Sequence, residues 1–398
     1  MEMIVYVTDY LENSPAKKNA DYALLYDVKD VSGIVKFCKE EHIDGVISTS
    51  LDPCQVPYQK ICRELGVPCF GTAEQFHILT DKVAFKECCK RYGVDIIDTY
   101  SAKELEEYKK SGRIKEILPV LIKPTDSRGS RGQTVCCEAD AIQAAIEAAQ
   151  LESSTGEIVI EKYMEHKDDF TAAYLFMRGK AVLVRTGDRY VGTQKMGLNK
   201  VAIASASPSR HTQMYLTHVH DRVVHMLNDI GIVNGPVFFQ GFADGNTVRL
   251  YDPGFRFSGG EYERLFFEAT KINLIKMLVQ FAIIGDFESM IEESDLSHLN
   301  GMRIMQLCPT LRAGKICKIK GVDAIMKHEN VVSFAPRYSE GDVVPSCNDV
   351  RRRYAEICTL CESKDREREV LQFIQKELVI QDEWGNDLIC DKLNIDVI

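Results

Sequence analysis

The chain has 398 residues, 45% of them hydrophobic, which is enough to bury a full core and points to two or three packed units. Its formal net charge of -10 excludes the broad basic face that nucleic acid needs and leaves at most a local basic cleft. The opening MEMIVYVTDY enters a β-like apolar run without the basic region, long apolar core and small-residue cleavage site of an export signal, so a cytoplasmic location is expected.

Over residues 1–75, strand-like runs (IVYVTD, YALLYDV, DGVIST) alternate with helical ones (DVSGIVKFCKEEH, CQVPYQKICRELG), which predicts βαβ units and a parallel sheet. A helix around TDKVAFKECCKRYG, a strand IIDTY and a helix AKELEEYKKSG follow. From 117 to 186 the runs ILPVLIKP, QTVCCE, EIVIEKYM, FTAAYLFMR and KAVLVRTG, with the helix ADAIQAAIEAAQ after the second, predict a small α+β unit on an antiparallel sheet. A long helix, TQMYLTHVHDRVVHMLNDIG, leads into PVFFQGFAD and TVRLYDPG, two strands joined by a DGN hairpin. The apolar run INLIKMLVQFAIIG at 272–285 is interrupted by Lys276 and Gln280 and is shorter than the roughly 20 residues of a bilayer span, so it reads as a core helix. The remaining residues mix strands (MRIMQLC, GKICKIKG, VVSFAPR), a charged helix (SKDREREVLQFIQKEL) and a strand-like VIQDE.

Fourteen cysteines scattered through apolar segments fit thiols in a reducing compartment rather than a disulfide framework. Cys358 and Cys361 form a lone CxxC, with no second pair to complete a zinc site, and RRRYAEICTLC reads as a helix carrying two thiols. His218, His220 and His225 lie on one helix without the i, i+4 spacing of helical zinc sites, and are expected at the surface.

Three stretches carry chemistry. The loop in LPVLIKPTDSRGSRGQTV, 118–135, can offer backbone N–H groups to phosphate oxygens, with Lys123 as a point charge at the strand end. It is neither a Walker A motif nor a GxGxxG, and an ordinary hairpin explains it equally well in isolation. In GEIVIEKYMEHKDDF, 156–170, a strand ends at Glu161 and runs into further carboxylates, groups able to bond a purine amino group and a ribose, although a solvated loop is the simpler account. Gln240 and Asp252 lie on two strands of one hairpin and can aim hard oxygen ligands into a shared cleft. Arg256 follows, with a planar fork suited to a phosphoryl group or a carboxylate; a tight turn is the plain alternative.

Taken in order, these motifs resemble the ATP-grasp superfamily, more closely its biotin-carboxylase and carbamoyl-phosphate-synthetase-like branch, over essentially the whole chain. The resemblance implies a multidomain α/β and α+β protein. It would have a shortened, Rossmann-like preATP-grasp domain (1–78), an ATP-grasp core (79–285) with a mobile lid at about 117–186, and a C-terminal lobe (286–398). Lys82 in LTDKVAFKECCKRYGV and Lys123 in VLIKP match the family's nucleotide-phosphate lysines. TDSRGSRGQTV, with Ser127, Gly129, Ser130 and Gly132, resembles its glycine-rich loop over the β- and γ-phosphates. EKYM resembles its adenine strand, with Glu161 on the amino group, Lys162 beside it and the backbone of Tyr163 and Met164 at the ring edge. Asp168 or Asp169 would hold the ribose. FFQGF and YDPGFRFSGG resemble the paired magnesium strands, except that Gln240, Asp252 and Gly254 stand where the family has two glutamates and an asparagine. The first strand of the family's preATP-grasp unit has no counterpart here.

The function this implies is ATP-dependent ligation, in which a carboxylate is activated as an acylphosphate and captured by an amine, releasing ADP and phosphate. The expected cofactors are ATP and Mg²⁺, with Mn²⁺ as a substitute, and the expected catalytic residue is Arg256. The expected partners are a small carboxylic acid and an amine, with neither nucleic acid nor membrane, and a homodimer is compatible with the apolar surface. The alternatives are a non-catalytic nucleotide-binding protein on the same fold, or a bicarbonate-using carboxylase or carbamoyl-phosphate-forming enzyme. No GxSxG and no cysteine with a histidine partner marks a covalent nucleophile.

Overall fold

A computed structural model describes residues 3–125, 132–164, 168–192, 201–291, 296–347 and 349–398. Runs rich in β-branched and aromatic residues build an eight-stranded sheet. Its order is Thr247–Gly254, Gly235–Asp244, Asp168–Met177, Lys180–Val191, Ala202–Ser207, Arg303–Leu307, Ala355–Cys361 and Val331–Pro336. Every neighbouring pair in it is antiparallel. The inner strand Asp168–Met177 is buried along nearly its whole length, and its residues Phe170 and Ala172 to Met177 all belong to one apolar cluster. One layer packs Phe238, Val223, Met226, Leu265, Phe266 and Leu278 together; another packs Ile203, Met305, Ile357, Val370, Leu371 and Ile374.

A second, four-stranded antiparallel sheet has the order Thr99–Tyr100, Ile158–Lys162, Val120–Pro124 and Thr134–Cys136. The helix Ala141–Glu152 closes it with Ile142, Ala145 and Ala149 against Val120, Ile122 and Ile160. The segment 117–186, expected to form one antiparallel unit, therefore divides between two sheets. Its first three strands make the small sheet, and the last two join the large one. The large sheet also crosses the expected boundary at 285, since three of its strands come from beyond that point.

At the start of the chain, Tyr6–Thr8 and Tyr22–Leu24 pair in parallel as expected. The third expected strand, DGVIST, joins no ladder; its Thr49 carbonyl instead accepts from the Phe257 N–H at 3.0 Å. The helices Val31–Glu40 and Asp52–Leu65 follow the sequence reading. Asp30 caps the first through the Gly33 N–H, and Gly66, at φ 72, stops the second in a conformation that suits glycine.

Two further expectations are corrected. The CxxC lies on the strand Ala355–Cys361, not a helix, because the alternation in AEICTLC presents Cys358 to one core and Cys361 to the other. The long helix after 211 breaks at Val219, where φ is -123, into Thr212–His218 and His220–Asp229. The break buries Val219 and turns His220 inward, so its Nδ1 lies 3.0 Å from the Tyr174 hydroxyl rather than at the surface. The apolar run at 272–285 is a core helix, Leu274–Ile284, and among the described residues no helix is long and apolar enough to cross a membrane.

Candidate functional site

Between the two sheets lies a cavity of about 590 Å³. Lys82, Lys123, Glu161, Lys162, Tyr163, Met164, Asp169, Gln240 and Asp252 all line it, although they come from four separate stretches of the chain. Its volume falls in the range of small-molecule and cofactor sites.

Asp81 caps the helix Lys82–Arg91 by accepting from the N–H groups of Val83 and Ala84 at 3.0 and 2.8 Å, which sets Lys82 at the first helical position. The Lys82 ammonium donates to the Thr125 carbonyl at 3.3 Å and lies 3.6 Å from Asp252 Oδ1. One turn along the same helix face is Lys86. It bonds Glu161 Oε1, while Lys123 lies 2.7 Å from Oε2. Glu161 is only 1% exposed. Burial alone would push its carboxyl up, but Lys123 and Lys86 outweigh this and hold it below the usual carboxylate range. Burial pulls Lys86 down, offset in part by Glu161.

The strand expected to meet adenine places its backbone differently from expectation at one atom. The Tyr163 N–H donates to the Pro119 carbonyl at 3.0 Å, which takes that donor away from a base edge. Of the two candidate ribose acids, strand alternation sends only one inward. Asp169 lines the cavity, 3.2 Å from Arg189 Nη1, and accepts from the Tyr251 hydroxyl at 3.3 Å. Asp168 faces away, 3.2 Å from Arg210 and 2.8 Å from His211 Nε2.

Gln240 and Asp252 are direct cross-strand partners, as their hairpin spacing predicted, with a bulge just after Gln240. Arg256 behaves otherwise. It is 8% exposed and does not line the cavity; its Nε bonds Asp52 Oδ1, its Nη1 donates to the Phe257 carbonyl at 2.7 Å, and its fork lies 5.2 Å from the centre of the Phe238 ring. Asp52, its partner, does reach the cavity wall. A Cβ on Gly254 would meet the Arg256 Cγ at 3.1 Å and Nε at 3.2 Å, so the glycine gives this arginine room to lie back. Ser127, Gly129 and Ser130 lie outside the described residues. Gly132 is described, at φ 65, and packs against Glu152 and Pro124 rather than lining the cavity.

Residues 81–234 match the family model described as the ATP-binding domain of the carbamoyl-phosphate synthase L chain. Among curated proteins, the formate-dependent phosphoribosylglycinamide formyltransferase of Haloquadratum walsbyi is 25% identical over 167 residues, which is 41% of this chain and 41% of that protein. The chain thus matches less than half the length of this relative. Among solved structures, the L-amino acid ligase from Bacillus licheniformis superposes with a TM-score of 0.75 at 17% identity, covering 96% of this chain and 93% of that one. The chain has the ATP-grasp fold. The biotin carboxylase domain of the Hydrogenobacter thermophilus 2-oxoglutarate carboxylase, solved with MgADP, ADP and bicarbonate, superposes with a TM-score of 0.68 at 18% identity, over 92% of this chain and 82% of that one.

Several residues in and around the cavity of this ATP-grasp fold escaped the sequence reading. Lys86 was visible only as a second lysine one turn after Lys82. Arg189 lies directly across from Asp169, on the face that alternation predicts, whereas Tyr251 reaches the cavity beside Asp252 only because the bulge after Gln240 leaves it without a cross-strand partner. Arg353 had no local signal. It comes from the far end of the chain, lines the cavity, and donates through Nε and Nη2 to the Ala202 carbonyl at 3.2 and 2.9 Å. Burial lowers its pKa, with Cys308 and the Glu356 carboxylate opposing in part.

Proposed function

We propose that the chain is an ADP-forming carbon–nitrogen ligase that activates a small carboxylic acid with ATP and joins it to an amine. The observation that supports this is the single cavity in which Lys82, Lys123, Glu161, Asp169, Gln240 and Asp252 converge. Phosphoryl transfer asks a protein for positioning and charge neutralisation more than for covalent help, and this set of side chains supplies both.

In this reading Glu161 and the carbonyls around Lys162 and Met164 meet the base, Asp169 meets the ribose, and Lys82 and Lys123 meet the phosphates. Gln240 and Asp252 are hard oxygen donors that fit a Mg²⁺ or Mn²⁺ ion arriving with the nucleotide, since such ions take one or two protein ligands plus phosphate oxygens. Bound there, the ion would neutralise phosphate charge. An oxygen of the acid attacks the γ-phosphorus, the bond to ADP breaks, and the resulting acylphosphate loses phosphate when the amine nitrogen attacks its carbonyl carbon. Arg353, a partly buried arginine on the cavity wall, stands where the acid's anionic group would be held. Arg256 acts through Asp52 as a positioning residue, not on the phosphoryl group itself.

The test is ADP release measured over a panel of acids and amines. Release that requires Mg²⁺, one particular acid and one amine is the expected result; tight ATP binding with no turnover across the panel would sink it. That second outcome is the mark of a non-catalytic nucleotide-binding protein, a reading favoured by one observation. The metal pair is Gln240 and Asp252 only, Lys82 stands 3.6 Å from Asp252, and among the described residues no three acidic, histidine or cysteine side chains gather around a common point.

A further inference from the structure

A buried carboxylate must be paired, and Glu161 has more cation than it needs. Lys123 alone, 2.7 Å from Oε2, would neutralise it. Lys86 also bonds the carboxylate, through the other oxygen, and is itself only 4% exposed. Burying a second ammonium is costly unless the charge is used. The three groups are also not equivalent in position. Lys123 and Glu161 line the cavity, and Lys86 does not; it approaches from the helix behind them. Two lysines on one glutamate leave the triad with a net charge of about +1, and the member that faces the cavity is Lys123.

We infer that Lys86 is a positioning residue: it serves as the counter-ion of Glu161, so that the charge of Lys123 stays available to the nucleotide phosphates. Without Lys86, Lys123 is held in a neutral pair with Glu161 and its pull on phosphate is largely cancelled. This rests on the nucleotide reading of the cavity, and it predicts an effect on the phosphates much larger than on the base and sugar.

The experiment is isothermal titration of adenosine and of MgATP into the full chain, read as the ratio of the two dissociation constants. In Lys86→Met the preference for MgATP over adenosine should fall on the order of 10- to 100-fold, because one charge near the triphosphate is cancelled. In the double variant Lys86→Met/Glu161→Gln, Lys123 again carries an uncancelled charge, and the ratio should return to within about 3-fold of the wild type. Lys86→Arg should likewise stay within about 3-fold. A ratio in Lys86→Met within roughly 2-fold of wild type, or a double variant that stays as low as the single one, overturns the inference. If circular dichroism shows Lys86→Met unfolded, the double variant decides: a wild-type ratio supports the inference and a lowered one overturns it. A wild type that binds no MgATP overturns the nucleotide site along with it, whereas an unchanged ratio overturns the role of Lys86 alone.

Discussion

Arg256 divides its guanidinium between Asp52 and the Phe257 carbonyl, so a change at either end of the ion pair disturbs the same segment. Asp52 is also bonded by the Gln55 amide at 2.9 Å, and Gln55 in turn accepts from the Phe255 N–H at 2.7 Å. This small network ties the start of the Asp52–Leu65 helix to the end of the strand that carries Asp252. Arg256→Lys and Asp52→Asn should therefore lower turnover to similar degrees, roughly 10- to 100-fold, while the dissociation constant for MgATP moves by less than about 3-fold. Steady-state kinetics beside titration checks it, and a loss in Arg256→Lys with none in Asp52→Asn would put the arginine on substrate directly. Glu263, close by, gives a pH prediction. Burial pushes its carboxyl up to about 7, with Arg185 only partly opposing. The folded state thus holds a proton that the unfolded chain gives up near 4.5, and stability falls as pH rises from there through about 7. Glu263→Gln should match the wild type in urea unfolding near pH 4.5 and exceed it near pH 8 by up to about 3 kcal/mol. An equal gap at both pH values would show that the carboxyl ionises freely in the fold.

At the scale of elements, what could be read from the sequence was what is local. The helix Lys82–Arg91 announces itself by Asp81 as cap, and the hairpin after Gly235–Asp244 by its short turn, which fixes the register that sets Gln240 opposite Asp252. Which sheet a strand joins is not local: nothing in FTAAYLFMR distinguishes it from EIVIEKYM, yet one is an inner strand of the large sheet and the other belongs to the small one. The same limit hid Arg353, whose place in the cavity depends on a fold-back of the chain over the strand Ala202–Ser207. Arg256 was misplaced for a different reason, since spacing alone does not say that Gly254 frees the space into which it turns. The small sheet has its own buried cluster, separate from the cores of the large one. Ile160 sits in that cluster at 3% exposed, so Ile160→Ala should cost about 2–5 kcal/mol locally. Amide hydrogen exchange should quicken across the strands Val120–Pro124 and Ile158–Lys162 and remain unchanged in Asp168–Met177. Equal quickening in both would mean that the two sheets open as one unit.

For the whole molecule, the cavity is a meeting point of distant chain. Its walls run from Asp52 through the small sheet and the Gln240–Asp252 hairpin to Arg353, and the Arg353 side chain is fixed to the Ala202 carbonyl in the same large sheet. The strands Arg303–Leu307 and Ala355–Cys361 continue that sheet beyond Ala202–Ser207 without a break in the ladder. A ligand that binds the cavity only when all its walls are assembled must then stabilise the late strands as well as those it touches. At MgATP about 100-fold above its dissociation constant, the gain is about 2.7 kcal/mol, equivalent to roughly 100-fold slower exchange for amides that open only with global unfolding. The amides of Ala355–Cys361, in the buried interior of the sheet, should slow by that factor together with those of Asp168–Met177. Slowing confined to the strands before residue 255 would show that the last third of the chain opens independently, and that Arg353 joins the cavity without being energetically coupled to it.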